Sequence, residues 1–88
     1  MRKINQEEFS IYSKSVRQAL LDNKSWRAGQ ALFNVLDDQH TDIANEIRGS
    51  VFDPFYDNSV IVAFLEEICD EAATNDINPV LKIFSLLK

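Results

Sequence analysis

The chain is poor in the residues that cross-link, punctuate and catalyse. Its 88 residues include one cysteine, one histidine, one methionine, two glycines and two prolines. A single cysteine, Cys69, rules out a disulfide within the chain and points to a reducing, cytosolic setting. It stands between Ile68 and Asp70, with no lysine, arginine or histidine close in sequence to lower its pKa. It therefore reads as a small core residue rather than a reactive thiol. Two glycines and two prolines supply too few turns for an all-β fold. One histidine and one distant cysteine cannot furnish the three or four converging ligands of a metal site, so neither metal nor cofactor is expected. There is no glycine-rich phosphate loop, no G-x-S-x-G, no H-E-x-x-H and no C-x-x-C. No apolar run approaches the roughly 18 residues of a membrane span. The start, Met1-Arg2-Lys3-Ile4-Asn5-Gln6-Glu7-Glu8, opens basic with no apolar stretch behind it, so no secretory leader is expected.

What is present is an ordinary globular composition, 45% hydrophobic and 26% charged. A chain this short forms one domain, residues 1–88, and buries only about 60–65% of its unfolded surface, so each large side chain matters. The net charge is −5, unevenly spread. Residues 1–30 carry six bases and three acids; residues 31–88 carry three bases and eleven acids. The acidic half should avoid nucleic acid and could meet a basic protein surface.

Apolar spacing predicts an all-α bundle of four helices plus a fifth at the C-terminus. Asn5 and Glu8 form a capping pair ahead of Phe9, Tyr12, Val16, Ala19 and Leu20, which recur on one helical face. Ser25 is the expected cap of a second helix with a wide apolar face: Trp26, Ala28, Gly29, Leu32, Phe33, Val35 and Leu36. Gly29 on that face suggests a close helix–helix contact. Thr41 is the expected cap of a short third helix, and Gly49 suits the left-handed position after it. Asp53-Pro54 suits a turn, and one or two of Phe52, Phe55 and Tyr56 should pin the loop while at least one stays exposed. A fourth helix follows a cap at Asp57, Asn58 or Ser59. Val60, Ile61, Phe64, Leu65, Ile68 and Ala72 face inward on it, and Glu66, Glu67, Asp70 and Glu71 form an acidic outer face. Asn78-Pro79 reads as a cap with proline at the first helical position. Residues 79–88 are apolar nearly all round; periodicity alone cannot separate helix from strand there, and an otherwise helical chain favours helix.

Trp26-Arg27, Gly29-Gln30, Phe33-Asn34, Leu36, Ile47-Arg48-Gly49, Asp53-Pro54-Phe55-Tyr56-Asp57 and Phe64-Leu65 keep an unusual order and spacing. This W-R-x-G-Q-x-x-F-N-x-L … I-R-G … D-P-F-Y pattern resembles one found in small uncharacterised proteins of bacteria and their phages. The resemblance covers about residues 9–68. It implies a bacterial or host cytoplasm and no particular chemistry.

Arg27 and Arg48 can fasten the aromatic loop through Asp53 and Asp57, or stay free for a partner's carboxylate. Gln30 and Asn34, four residues apart on one face, can tie down loop carbonyls or read a ligand. His40, Asp42 and Glu46 are the only cluster resembling acid–base machinery. A lone histidine at a helix junction is more simply a cap or surface residue. The expected function is a non-enzymatic protein-interaction module, of the kind a phage encodes to modulate or inhibit a host complex. Trp26, Arg27, Arg48, Asp53, Phe55, Tyr56 and Asp57 are its candidate partner-binding residues. Two alternatives stand beside it. The acidic face at Glu66, Glu67, Asp70 and Glu71 could mimic nucleic acid and block a DNA- or RNA-binding enzyme. The apolar residues 80–87 could build a homo-oligomer. Direct nucleic-acid or membrane binding is not expected.

Overall fold

Asn5 opens the first helix, α1 (Gln6–Asp22). Its side chain accepts the Glu8 N–H at 2.8 Å, and the Glu8 carboxylate accepts the Asn5 N–H at 2.9 Å. Two of the donors that a helix start leaves unpaired are thereby satisfied. The structure, a computed structural model, describes residues 1–87, with side chains through Phe84. It is all-α. After α1 come α2 (Ala28–Gln39), α3 (Thr41–Ile47), a 3-10 turn (Asn58–Val60) running into α4 (Ile61–Ile68), α5 (Glu71–Thr74) and α6 (Ile77–Leu87).

The core forms where helical spacing places it. Phe9, Tyr12, Val16 and Leu20 of α1 are buried against Leu32, Phe33 and Leu36 of α2; Ile43, Ala44 and Ile47 of α3 complete that side. Each large apolar side chain so buried stabilises by about 1.5–3 kcal/mol. Tyr12 is fully buried and donates its hydroxyl to the Leu32 carbonyl at 2.5 Å, which joins α1 to α2. That bond answers the one polar atom the ring carries inward. No helix is long and apolar enough to cross a membrane among the described residues.

Four boundaries differ from expectation. The second helix starts at Ala28, not after Ser25: residues 23–26 form a turn, with the Trp26 N–H donating to the Asn23 carbonyl at 3.0 Å. Arg27 is its cap residue, so Trp26 lies outside the helix. His40, not Thr41, precedes α3. With one residue between the helices, the Thr41 hydroxyl turns back and donates to the Asp37 carbonyl at 2.6 Å.

The expected long fourth helix is broken at Cys69, whose backbone is extended. The N-terminal segment causes the break. Ile4 N–H donates to the Ile68 carbonyl at 2.8 Å, and Asp70 N–H donates to the Ile4 carbonyl at 2.9 Å, a parallel bridge around Cys69. The Ile4 side chain is fully buried beneath it. Asp70 then caps α5 by accepting the Ala73 N–H at 2.9 Å. The break shifts the inward position by one, so Ala73 is buried and Ala72 is exposed.

The last segment is a helix, and it starts at Ile77, two residues earlier than the proline suggests. Pro79 falls in the first turn, where a missing N–H costs nothing. Ile77 and Phe84 are buried, Val80 and Leu81 pack against the core, and Ile83 faces out. The expected self-association stripe at residues 80–87 reaches side chains that lie outside the described residues.

Candidate functional site

The loop between α3 and α4 is held by a set of local and long-range bonds. Gly49 takes φ +74°, a left-handed conformation that frees the chain from α3. Both Asp53 carboxylate oxygens then accept backbone donors: Gly49 N–H at 2.8 Å and Phe55 N–H at 2.9 Å. Asp57 caps the 3-10 turn by accepting the Ser59 N–H at 2.9 Å. Hydrogen bonds from Ser59 hold its carboxyl below the usual range, and the Arg27 charge adds to the effect.

The long-range bonds dock this loop on the start of α2. Arg27 donates to the Phe55 carbonyl at 2.6 Å and to Asn58 Oδ1 at 3.3 Å. Asn58 Oδ1 also accepts the Gly29 N–H at 3.0 Å, so a residue from the far side of the loop satisfies a free donor of the helix start. The close contact expected at Gly29 is therefore with this loop rather than with another helix. The loop chain passes so close that a Cβ at Gly29 would lie 2.1 Å from the Pro54 carbonyl oxygen.

Neither Asp53 nor Asp57 pairs with an arginine side chain through the bidentate bonds expected. Arg48 instead donates to Asp37 Oδ1 at 3.0 Å and to Asn45 Oδ1 at 3.3 Å, and its guanidinium lies 5.0 Å from the centre of the Phe33 ring. Gln30 does not hold a loop carbonyl; its side-chain oxygen accepts the Arg27 N–H at 2.8 Å. Asn34 makes no side-chain hydrogen bond among the described residues.

An aromatic chain leads outward from the core. Phe33 meets Phe55 edge to face at 6.1 Å, and Phe55 meets Tyr56 at 4.8 Å. Phe52 and Phe55 are half-buried against the core, while Tyr56 is 82% exposed. Val51, on the same loop, is 81% exposed. Phe33, Asp37, Arg48, Asp53, Phe55 and Tyr56 line a depression of about 210 Å³. Six of the seven candidate partner-binding residues thus lie on or against this loop. Trp26 does not share the Tyr56 depression: it lines a separate one with Ala19 and Val35 between α1 and α2.

The other sequence candidates are dispersed. Glu66 and Glu67 stand on α4, Asp70 is a cap and Glu71 begins α5, so they do not form one helix face. Lys3 reaches Glu67, with a carboxylate distance of 3.8 Å and a further bond to its carbonyl. Arg2 gathers Asp42 at 3.1 Å, His40 Nδ1 at 3.1 Å and Glu8 at 3.3 Å, a clasp over the α2–α3 junction. Its hydrogen bond lowers the Asp42 pKa. The Met1 amino group lies 3.9 Å from Glu46. Among the described residues, no three His, Cys, Asp or Glu side chains are disposed to hold a metal. Burial pushes the Cys69 thiol up to about 12.

Asn58 and Asp37 join this candidate site in roles that the sequence did not signal. Each contacts a residue on another element, so no local spacing signals it. No protein family, curated protein or solved structure matches the chain.

Proposed function

We propose that the chain is a non-enzymatic protein-interaction module whose partner docks on the loop at Tyr56. The observation that carries this reading is an almost fully exposed aromatic on a tightly fastened loop. Tyr56 leans on Phe55, which leans on Phe33 of the core, and the loop beneath is held by Arg27, Gly29, Asp53 and Asn58. An aromatic presented this way loses little conformational freedom when a partner covers it, which is what a binding hot spot requires. Arg48 and Asp37 supply a polar rim beside it.

The resemblance of the W-R-x-G-Q … D-P-F-Y pattern to small bacterial and phage proteins supplies only a setting, the bacterial cytoplasm, in which we place the module as a modulator or inhibitor of a host complex. The nucleic-acid-mimic alternative has less support: Asp70 and Glu67 are engaged in capping and pairing, which leaves Glu66 and Glu71 as its outward charges. The test is capture from bacterial lysate by the tagged chain and by an Arg48→Ala, Tyr56→Ala variant. A stoichiometric protein retained by the first and lost by the second supports the module. One retained equally by both refutes the Tyr56 surface.

A further inference from the structure

The outward face of α1 carries a second apolar line, opposite the one that builds the core. Phe9, Tyr12, Val16 and Leu20 are buried. On the other side Ile11 is 57% exposed and Leu21 44% exposed, with Lys14 and Gln18 between them. Positions 11, 14, 18 and 21 are spaced three, four and three apart, the repeat that keeps a seam facing a partner helix. Ile11 borders a depression of about 370 Å³ with Glu8, Gln39 and His40. Leu21 borders one of about 320 Å³ with Lys14, Arg17 and Gln18. At a rise of 1.5 Å per residue the two aliphatics stand about 15 Å apart. Scattered exposed aliphatics are ordinary on a surface. Two on one helical seam, each beside a depression, offer places for a partner's side chains.

Lys14 and Arg17 stand at the middle of this seam, exposed, and neither makes an ion pair or side-chain hydrogen bond among the described residues. Other cations of the chain are occupied: Arg2 by Asp42 and Glu8, Lys3 by Glu67, Arg48 by Asp37, and Arg27 by the Phe55 carbonyl. The acids nearest along α1 lie at the ends of the seam. Glu7 is seven residues from Lys14, and Asp22 is five from Arg17 and accepts a hydrogen bond from Gln18 at 2.9 Å. In a chain of net charge −5, two adjacent cations are thus left to face outward.

We infer that this face docks an amphipathic acidic helix of another protein, with aliphatic side chains at Ile11 and Leu21 and carboxylates at Lys14 and Arg17. Such a helix answers both the apolar ends of the seam and the cations between them. A symmetric pairing of α1 with its own copy sets Lys14 and Arg17 beside like charges. An anionic bilayer or a nucleic acid repels a chain of net charge −5 that presents two cations on this face. The seam shares no residue with the Tyr56 surface, and the inference does not depend on that reading.

The test is a titration of the isotopically labelled full chain, followed by nuclear magnetic resonance. The probe is a three-heptad helical peptide with leucine at a and d and glutamate at e and g; its counterpart carries lysine in place of glutamate. The glutamate peptide should shift the Ile11 and Leu21 methyl resonances saturably, more weakly as salt rises, and the lysine peptide should not. Lys14→Gln, Arg17→Gln changes only exposed positions, so it should keep the native melting temperature and weaken the glutamate peptide about fivefold or more. Ile11→Ala, Leu21→Ala keeps the charges and the helix propensity and should weaken it as much. No saturable shift at millimolar peptide, equal shifts with the lysine peptide, or undiminished affinity in either folded variant would overturn the inference. So would the same methyls responding instead to phosphatidylglycerol vesicles, or to protein concentration alone, which would give the face to a membrane or a second copy. Tyr56→Ala should bind the peptide as the wild type does, so failure of this surface and failure of the Tyr56 surface are read separately.

Discussion

Gly29 of α2 and Pro54 of the loop approach so closely that the Pro54 carbonyl oxygen occupies space a side chain would need. A Cβ on residue 29 would stand 2.1 Å from that oxygen and 2.8 Å from Asn58 Oδ1. The backbone oxygen cannot rotate aside, so an added methyl must lift the loop. Gly29→Ala should therefore destabilise by about 2–4 kcal/mol, although alanine is the better helix former by about 1 kcal/mol. Gly49→Ala meets open space and only the cost of φ +74°, about 1–2 kcal/mol. Urea unfolding of both variants checks the order. A Gly29→Ala protein as stable as the wild type would mean that the loop is not docked.

Tyr56 and Phe55 are neighbours with opposite duties. Tyr56→Ala should change stability by no more than about 0.5 kcal/mol, since the ring touches little besides Phe55. Phe55→Ala should cost about 2 kcal/mol, because that ring is half-buried against Phe33 and the core. Thermal melts compare them directly. Equal losses would show that Tyr56 belongs to the core.

These two residues also mark how far local patterning reaches. The helices α1, α2 and α3 and their buried stripes were legible because 3.6-residue spacing reports directly on burial. The capping pair at Asn5 and the left-handed Gly49 were legible because each is specified within four residues. The break at Cys69 was not, because Ile4, far away in sequence, imposes it. At the site, an aromatic-rich loop with one or two rings docked and at least one exposed was anticipated; that Phe52 and Phe55 dock while Tyr56 is the exposed one was not. The Arg27–Phe55, Asn58–Gly29 and Arg48–Asp37 partnerships were not. Each depends on where a loop or helix lands after folding, and arginine fits a carbonyl or a carboxylate equally well.

Ile4 should matter more than its place near the end of the chain suggests. It is fully buried and makes both hydrogen bonds that bracket Cys69. Ile4→Ala should cost about 2–5 kcal/mol. It should also speed hydrogen exchange at the Asp70 amide, whose acceptor is the Ile4 carbonyl. An unchanged melting temperature would contradict the bridge.

Tyr12 and Cys69 make the fold sensitive to alkali. Burial raises both acids, Tyr12 well above its ordinary 10.0 and Cys69 from 9.0 to about 12. The unfolded chain gives up these protons first, so it binds fewer protons than the folded chain in this range. Stability is then fully present below pH 9 and declines as pH rises toward 12. Tyr12→Phe should lose about 1 kcal/mol at neutral pH with its hydroxyl bond. It should also show a shallower alkaline decline, measured as urea midpoints across pH. A decline of wild-type steepness in Tyr12→Phe, Cys69→Ala would assign the effect to other groups.

The decisive experiment is capture from bacterial lysate by wild type and Tyr56→Ala, once both proteins have been shown to melt alike. One bacterial protein should be retained in stoichiometric amount by the wild type, and its affinity should fall at least tenfold in Tyr56→Ala, as expected of a hot-spot aromatic. A partner held equally well by both proteins would contradict this reading, and would move the interface away from the loop.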